Sequence, residues 1–362
     1  MNISAPQRIL QIQPYRPGKP IEEVKRELGL KDVIKLASNE SPYGPSSKVL
    51  AAIRKAAADV NRYPDGGCYV LRRALAKHLK VGEERLIFGN GSDEIIVMAL
   101  RAFVEPGDEV VVARPSFLIY EMASQIAGAV IRSIPLINFR YDLPGMFKAV
   151  SAKTKIIFIG NPDNPAGTYV SEKALREFLS RVSRNVLVFV DEAYFEFVRF
   201  KDYPNSILLQ TEFSNVITTR TFSKMYGLAG LRVGYGVAQP KIIDVLNRVR
   251  EPFNINSPAQ AAAVACLKDK AYYRRVAANI EGQRQFLYGE LARLQLRFIE
   301  SVTNFILIDV KQKSSAVAGR LLKKGVIIRD MECWGLHGFI RVTIGTEKEN
   351  QRFIKILKEC LK

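Results

Sequence analysis

Residues 155–191 read KIIFIGNPDNPAGTYVSEKALREFLSRVSRNVLVFVD. The stretch opens on an apolar run, KIIFIG (155–160), and closes on another, NVLVFVD (185–191). Runs this uniformly apolar suit strands covered on both faces, where a half-exposed sheet would alternate. Between them, SEKALREFLSRV (171–182) spaces its apolar residues as a helix does. Strand, helix, strand is the repeating unit of a parallel sheet. The pattern continues outward. EVVVA (109–113), AVIRSIPL (129–136), NVITTRT (215–221) and RVGYGV (232–237) read as strands. SSKVLAAIRKAAADV (46–60) and GCYVLRRALAKHLK (67–80) read as helices. The expected class is therefore α/β, with a mostly parallel sheet.

Beyond about residue 250 the character changes. A long helical stretch (257–294) leads to spaced strand signals, FILIDV (305–310), VIIRD (326–330) and FIRVTIG (339–345), and to an amphipathic helix, EKENQRFIKILKECLK (347–362). The expected layout is an N-terminal arm (1–40) joining a small domain, a large α/β domain (41–250), and a connecting helix with a small α+β domain (251–362).

Composition narrows the function. The chain has 362 residues, 48% hydrophobic and 25% charged, enough apolar material for a large core and against disorder. Its four cysteines, Cys68, Cys266, Cys333 and Cys360, form no CxxC pair, which argues against a disulfide scaffold or zinc ribbon and for a reducing, cytoplasmic setting. Only His78 and His337 are present, so no multi-histidine metal site is expected and a Ser-His-Asp hydrolase is hard to build. The N-terminus lacks a signal-peptide core, and no apolar run is long enough to span a membrane. The net charge of +18 raises nucleic acid as a partner, but the basic residues are spread along the chain without a block, so neither nucleic acid nor membrane is expected.

Ligands of open parallel sheets bind beyond the carboxyl ends of the strands. Four polar clusters stand at such ends. Phe88–Glu94 (FGNGSDE) offers tight glycine turns and a new helix N-terminus, which suits a phosphate; a plain turn capped by Ser92 is the alternative. Asn161–Gly167 (NPDNPAG) holds its Asn side chains between prolines, or is simply a rigid loop. Asp191–Tyr194 (DEAY) ends a buried strand on an acid that needs a partner: a metal, a base, a positively charged ring nitrogen, or a structural donor. Thr221–Arg232 (TFSKMYGLAGLR) sets Lys224 in a Gly- and hydroxyl-rich turn, where a desolvated amine can condense with a carbonyl; a surface lysine is the alternative. Together, a phosphate cradle, a hydrogen-bonding Asn, a strand-end Asp and a pocket Lys are the parts that hold pyridoxal phosphate.

These motifs resemble the fold type I pyridoxal-phosphate aminotransferases, and within them the histidinol-phosphate branch. The likeness covers nearly the whole chain. It runs from QPYRPGKPIEEVKRELGL (13–30) and IKLASNESPYGPS (34–46) through NRYPD (61–65), GNGSDEI (89–95), ARPSF (113–117) and NPDNPAGT (161–168). It continues through DEAYFEF (191–197) and TFSKMYGLAGLRVGY (221–235) to GVIIRDM (325–331) and GFIRVTIGT (338–346). The resemblance implies the aspartate aminotransferase fold, with a mostly parallel seven-stranded sheet. It implies that Lys224 binds the cofactor's aldehyde as a Schiff base and then moves protons, and that Asp191 pairs with the pyridine nitrogen. Asn164 and Tyr194 would hold the ring hydroxyl oxygen, with Asn164 and Asp191 each closing a strand. Phe117 would stack on the ring. Ser92, Asp93, Thr221, Ser223 and Arg232 would hold the phosphate. Tyr63 would reach the partner subunit's cofactor, which implies a homodimer with shared sites. Tyr15, Asn39, Arg329 and Arg341 would meet the substrate; Arg329 could instead sit in a structural ion pair. The implied substrates are histidinol phosphate and 2-oxoglutarate or glutamate, two different anions for one pocket.

The sequence departs from that pattern in three places. Ala166 stands where Thr is usual, Tyr43 where Leu is usual, and MECWGLHG (331–338) sets Trp334 and His337 beside the arginines. An aromatic amino acid aminotransferase and a threonine-phosphate decarboxylase are the neighbouring readings. A cofactor-sensing DNA-binding regulator would need a helix-turn-helix domain, for which the 40 residues before the α/β core leave no room.

Overall fold

The computed structural model describes residues 4–15 and 18–362. Among these residues the strands are, in chain order, β1 (Ile34–Lys35), β2 (Leu86–Gly89), β3 (Glu109–Arg114), β4 (Val130–Pro135), β5 (Thr154–Gly160), β6 (Leu187–Asp191), β7 (Val216–Thr221) and β8 (Gly234–Val237). They are followed by β9 (Arg297–Ile299), β10 (Phe305–Asp309), β11 (Val326–Ile327), β12 (Arg329–Asp330) and β13 (Phe339–Thr343).

One seven-stranded sheet has the order β2-β8-β7-β6-β5-β3-β4. Its strands run parallel except β8, which is antiparallel to both β7 and β2. Period-two alternation divides its side chains between two cores. Val110, Val112, Ile156, Phe158, Phe189 and Ile217 pack under the Ser92–Phe103, Leu118–Ala127 and Pro240–Val249 helices. Val111, Ile157, Ile159, Val188, Val190 and Val216 pack under the Glu172–Arg181 helix, through Leu175, Phe178 and Leu179. The sequence reading of doubly covered strands is met on both faces.

A four-stranded antiparallel sheet, β12-β13-β10-β9, lies in the C-terminal part. β1 pairs in parallel with β11, Ile34 opposite Val326, so the N-terminal segment is tied to the C-terminal part by backbone. A third core joins this sheet to the Tyr69–Leu79, Ser257–Lys268 and Lys270–Arg293 helices around Leu71, Ile280, Phe305 and Phe353.

Two expectations change here. The long helical stretch is two helices, broken at Asp269, whose φ of −102° and ψ of 51° leave the helical region. Asp is a poor helix-interior residue, and the Asp269 carboxylate turns to Lys48 at 3.6 Å. VIIRD is not one strand: Val326–Ile327 pairs with β1, whereas Arg329–Asp330 pairs with β13.

Beside the pocket end of β6 lies a buried ion pair. Glu192 accepts from Arg220 Nε and Nη2, each at 2.8 Å, and from Ser206 Oγ at 2.6 Å. Removing one partner of such a pair leaves the other charge buried. Arg220→Met is expected to lower unfolding stability by about 3–5 kcal/mol in urea titrations. A loss below ~1 kcal/mol would mean that Glu192 does not need the guanidinium.

Candidate active site

A cavity of about 280 Å³ opens at the carboxyl edge of the seven-stranded sheet. β6 and β7 run side by side, with Asp191 opposite Thr219, so their ends deliver Asp191 and Thr221 to the same edge. Asp191 is buried and accepts from Tyr120 OH at 2.8 Å and Thr219 Oγ1 at 3.2 Å. Burial pushes its carboxyl up to about 6, against those donors. It has no ion-pair partner among the described residues, in contrast to Glu192 next to it. A buried acid facing a cavity without its own cation fits a cationic ring nitrogen.

Lys224 follows β7 in the turn and reaches the cavity from that side. Its Nζ donates to the Ser38 carbonyl at 3.2 Å and lies 5.7 Å from the centre of the Tyr194 ring. Burial, reinforced by the charge of Arg341, pulls its amine down to about 8. The amine is thus partly neutral near physiological pH and able to attack a carbonyl.

The Ser92–Phe103 helix begins at the cavity, after Gly91 at φ 82°. Ser92 is its first residue, Gly91 takes the cap position, and no side chain accepts a cap hydrogen bond there, so the Ser92 cap does not form. A Cβ on Gly91 would stand 2.4 Å from Arg232 Nη2, which is why the guanidinium can lie against this turn. Arg232 also meets Asp93 at 3.5 Å and donates to Ser223 Oγ at 3.4 Å. Thr221 Oγ1 accepts from Ser223 N at 3.1 Å. Free helix N–H groups, a hydroxyl and a guanidinium at one end of the cavity suit a phosphate.

Phe117, Asn164, Tyr194, Arg341 and Trp334 also line the cavity. Asn164 does not close a strand: β5 ends at Gly160, and Asn164 stands four residues further along the loop. The loop is rigid because other side chains spend themselves on it. Asn161 exchanges hydrogen bonds with the Val170 backbone at 2.9 and 3.1 Å. Asp163 accepts from Ser116 Oγ at 2.8 Å and Ala166 N at 3.2 Å. Asn164 is left to face the cavity, with its Oδ1 accepting from Arg341 Nη1. Ala166 is buried.

Thirteen of the expected site residues line this cavity: Tyr15, Asn39, Ser92, Asp93, Phe117, Asn164, Asp191, Tyr194, Thr221, Ser223, Lys224, Arg232 and Arg341. Two do not. Tyr63 is 83% exposed and stacks on Phe253 at 4.9 Å, away from the cavity. Arg329 lies behind the wall, its guanidinium carbon 5.5 Å from the Tyr15 ring and 5.1 Å from the Trp334 ring. Among the described residues it forms no ion pair; aromatic faces hold it. Trp334 does line the cavity and donates to the Ser116 carbonyl at 3.0 Å, whereas the His337 side chain is 80% exposed. Tyr120 went unremarked in the sequence. The signal was its helical spacing from Phe117, one turn earlier.

The family model for aminotransferase class I and II matches residues 31–357. The chain belongs to this aminotransferase family. It is 51% identical over 355 residues to the histidinol-phosphate aminotransferase of Moorella thermoacetica, covering 98% of this chain and 92% of that one. Among solved structures, the histidinol-phosphate aminotransferase of Sinorhizobium meliloti in complex with pyridoxal-5'-phosphate superposes with a TM-score of 0.91, at 30% identity over 99% of this chain and 98% of that one. Thermus thermophilus aspartate aminotransferase with maleate superposes with a TM-score of 0.86 at 20% identity, covering 99% of this chain and 100% of that one; that likeness shows the fold. The α/β architecture is therefore the aspartate aminotransferase fold.

An aminotransferase lysine must be neutral to attack, so the electrostatics of this cavity are testable. In cofactor-stripped protein, capture of pyridoxal phosphate by Lys224 is expected to rise about tenfold per pH unit and to level near pH 8. Arg341→Met removes a positive neighbour and is expected to move the plateau to higher pH. Rates followed by absorbance that level at the same pH in both proteins would remove Arg341 from the cause.

Proposed function

We propose that this protein transfers the amino group between histidinol phosphate and 2-oxoglutarate, a transamination of L-histidine biosynthesis, with pyridoxal 5'-phosphate as cofactor. The observation that carries the reading is the presence in one cavity of Lys224, with a lowered amine, and buried Asp191, with no cation of its own among the described residues. The histidinol-phosphate aminotransferase named among the relatives, at 51% identity over nearly the whole chain, supports the substrate.

Bound pyridoxal phosphate supplies an aldehyde for the amine and a ring that accepts the electron pair left when a C–H bond breaks. The residues of this chain do the rest. Asp191, held by Tyr120 and Thr219, keeps the ring nitrogen protonated. Tyr194 and Asn164 hold the ring oxygen, and Phe117 covers the ring face. Ser92, Asp93, Ser223 and Arg232, with Thr221 behind, hold the phosphate. Lys224 would take the proton from the amine-bearing carbon at Nζ and give it back from the same atom. Arg341, with Arg329 and Tyr15 beyond it, receives the phosphate of one substrate and the carboxylate of the other. The apolar wall of Phe117, Ile119 and Trp334 suits an imidazole, and it equally favours the second reading, an aromatic amino acid donor.

Tyr63 and Phe253, stacked and both exposed, support a homodimer in which Tyr63 reaches the partner's cofactor phosphate. Segments 1–40 and 251–362 would form the small domain on a large one of 41–250. Four free thiols, three of them buried, fit the cytoplasm.

The test is a half-reaction. Histidinol phosphate alone is expected to bleach the visible band of the cofactor-loaded protein, and 2-oxoglutarate to restore it. Lys224→Ala is expected to lose turnover by at least about a thousandfold. Bleaching by phenylalanine or tyrosine but not by histidinol phosphate would move the substrate to aromatic amino acids. Steady-state turnover of Lys224→Ala at the wild-type rate would defeat the mechanism.

A further inference from the structure

Asn39 is buried at the cavity wall and holds a left-handed backbone, φ 54°. A non-glycine residue there costs on the order of 1 kcal/mol or more, so its surroundings must hold it. They do so from the four-stranded sheet. Thr343, the last residue of β13, accepts the Asn39 backbone N–H on its Oγ1 at 2.9 Å. Asn304, just before β10, donates its Nδ2 to the Asn39 carbonyl at 3.0 Å. Asn304 keeps this position although its own Oδ1 is buried without a partner.

These contacts also orient the Asn39 amide. The Thr343 hydroxyl accepts from the backbone, which leaves its one proton to give, and Asn39 Oδ1 lies 3.4 Å away to receive it. The other end of the amide must then be Nδ2, and it donates to Tyr194 OH at 2.8 Å. A phenol oxygen that accepts from an amide still has its own proton to place. No acceptor for that proton occurs among the described side chains, and Tyr194 lines the cavity.

We propose that Thr343 and Asn304 are positioning residues which, acting through the left-handed Asn39, make Tyr194 an obligate hydrogen-bond donor into the cavity. The inference rests on the reading that the cofactor's ring oxygen sits opposite Tyr194. Asn39 was expected to meet substrate; here it acts on the phenol. A donor at the ring oxygen draws off its negative charge, so the proton shared with the lysine linkage is released at lower pH. Without the Asn39 amide on its oxygen the phenol is a weaker and less oriented donor, so the ring oxygen holds that proton more strongly and the midpoint rises. The four-stranded sheet thereby sets the proton affinity of a group across the cavity, which a role in packing alone would not do.

The experiment is an absorbance–pH titration of the resting, cofactor-loaded protein without substrate, with thermal unfolding measured in parallel. Thr343→Val deletes the hydroxyl, Thr343→Ser restores it, and Asn39→Gly takes the left-handed backbone without strain while removing the amide. Expected are midpoints raised by about half a pH unit or more in Thr343→Val and Asn39→Gly, and a wild-type midpoint in Thr343→Ser. If Thr343→Val does not fold, Asn39→Gly carries the test. A wild-type midpoint in Asn39→Gly overturns the inference and leaves the functional reading standing. So does lowered thermal stability with no change in midpoint. A wild-type chain that takes up no pyridoxal phosphate overturns the functional reading itself, and this inference with it.

Discussion

Two consecutive carboxylates at the end of one buried strand impose the arrangement around the site. A strand points successive side chains to opposite faces, so Asp191 and Glu192 cannot share a partner. β7 answers in register. Thr219 stands opposite Asp191, and Arg220, the next residue, meets Glu192 on the other face. Glu192 is thus neutralised within the protein. Asp191 receives only neutral donors, and burial raises its proton affinity. Its charge is best stabilised by a cation arriving in the cavity, which is the role proposed for the protonated ring. A strand that ended on one acid would have had only one of these two outcomes available.

The same edge concentrates positive charge. Lys224, Arg232 and Arg341 line one cavity, and Arg341 helps hold the amine of Lys224 down. Arg341 is not free to swing. Its Nη1 is tied to Asn164 and its Nη2 to the Ala37 carbonyl at 3.2 Å. Fixed guanidiniums cost little reorganisation when an anion arrives. The lysine turn is fixed as well. Gly227 (φ 70°) packs so closely on the 44–45 segment that a Cβ would stand 2.8 Å from the Gly44 carbonyl carbon. The segment following Asn39 is therefore clamped against the turn that carries Lys224.

What was legible in the sequence was periodic or clustered. Doubly covered strands announce themselves by unbroken apolar runs, and the polar clusters at their ends mark the cavity. Nine of the thirteen expected residues that meet there belong to those clusters, whereas Tyr15, Asn39, Phe117 and Arg341 were expected from the family resemblance. What stayed hidden depends on contacts between distant segments. The break at Asp269 answers to Lys48, and the division of VIIRD answers to β1 on one side and β13 on the other. Tyr120 reads as an ordinary helix residue until its hydroxyl is seen on Asp191. Asn39 reads as a pocket residue, but that Thr343 and Asn304 hold its backbone is not legible in the sequence. Periodicity tells which face a residue takes, not which residue it will meet on that face.

The departure at MECWGLHG separates into two cases by burial. The His337 side chain is exposed to solvent and does not line the cavity. Trp334 is buried, anchored through its indole N–H to the Ser116 carbonyl, and carries Arg329 at 5.1 Å and Arg341 at 5.7 Å from its ring. Two guanidiniums near one another repel, and an aromatic face offsets part of that cost for each. Arg341 has its Nε buried and unpartnered at the cavity, and Arg329 has the same atom unpartnered behind the wall. Arg341 therefore retains donor capacity at the cavity that only an anion or water can fill. A pocket proposed to take a phosphate and a carboxylate in turn needs that surplus. Trp334 holds it in place without neutralising it, as a carboxylate at the same position would have done.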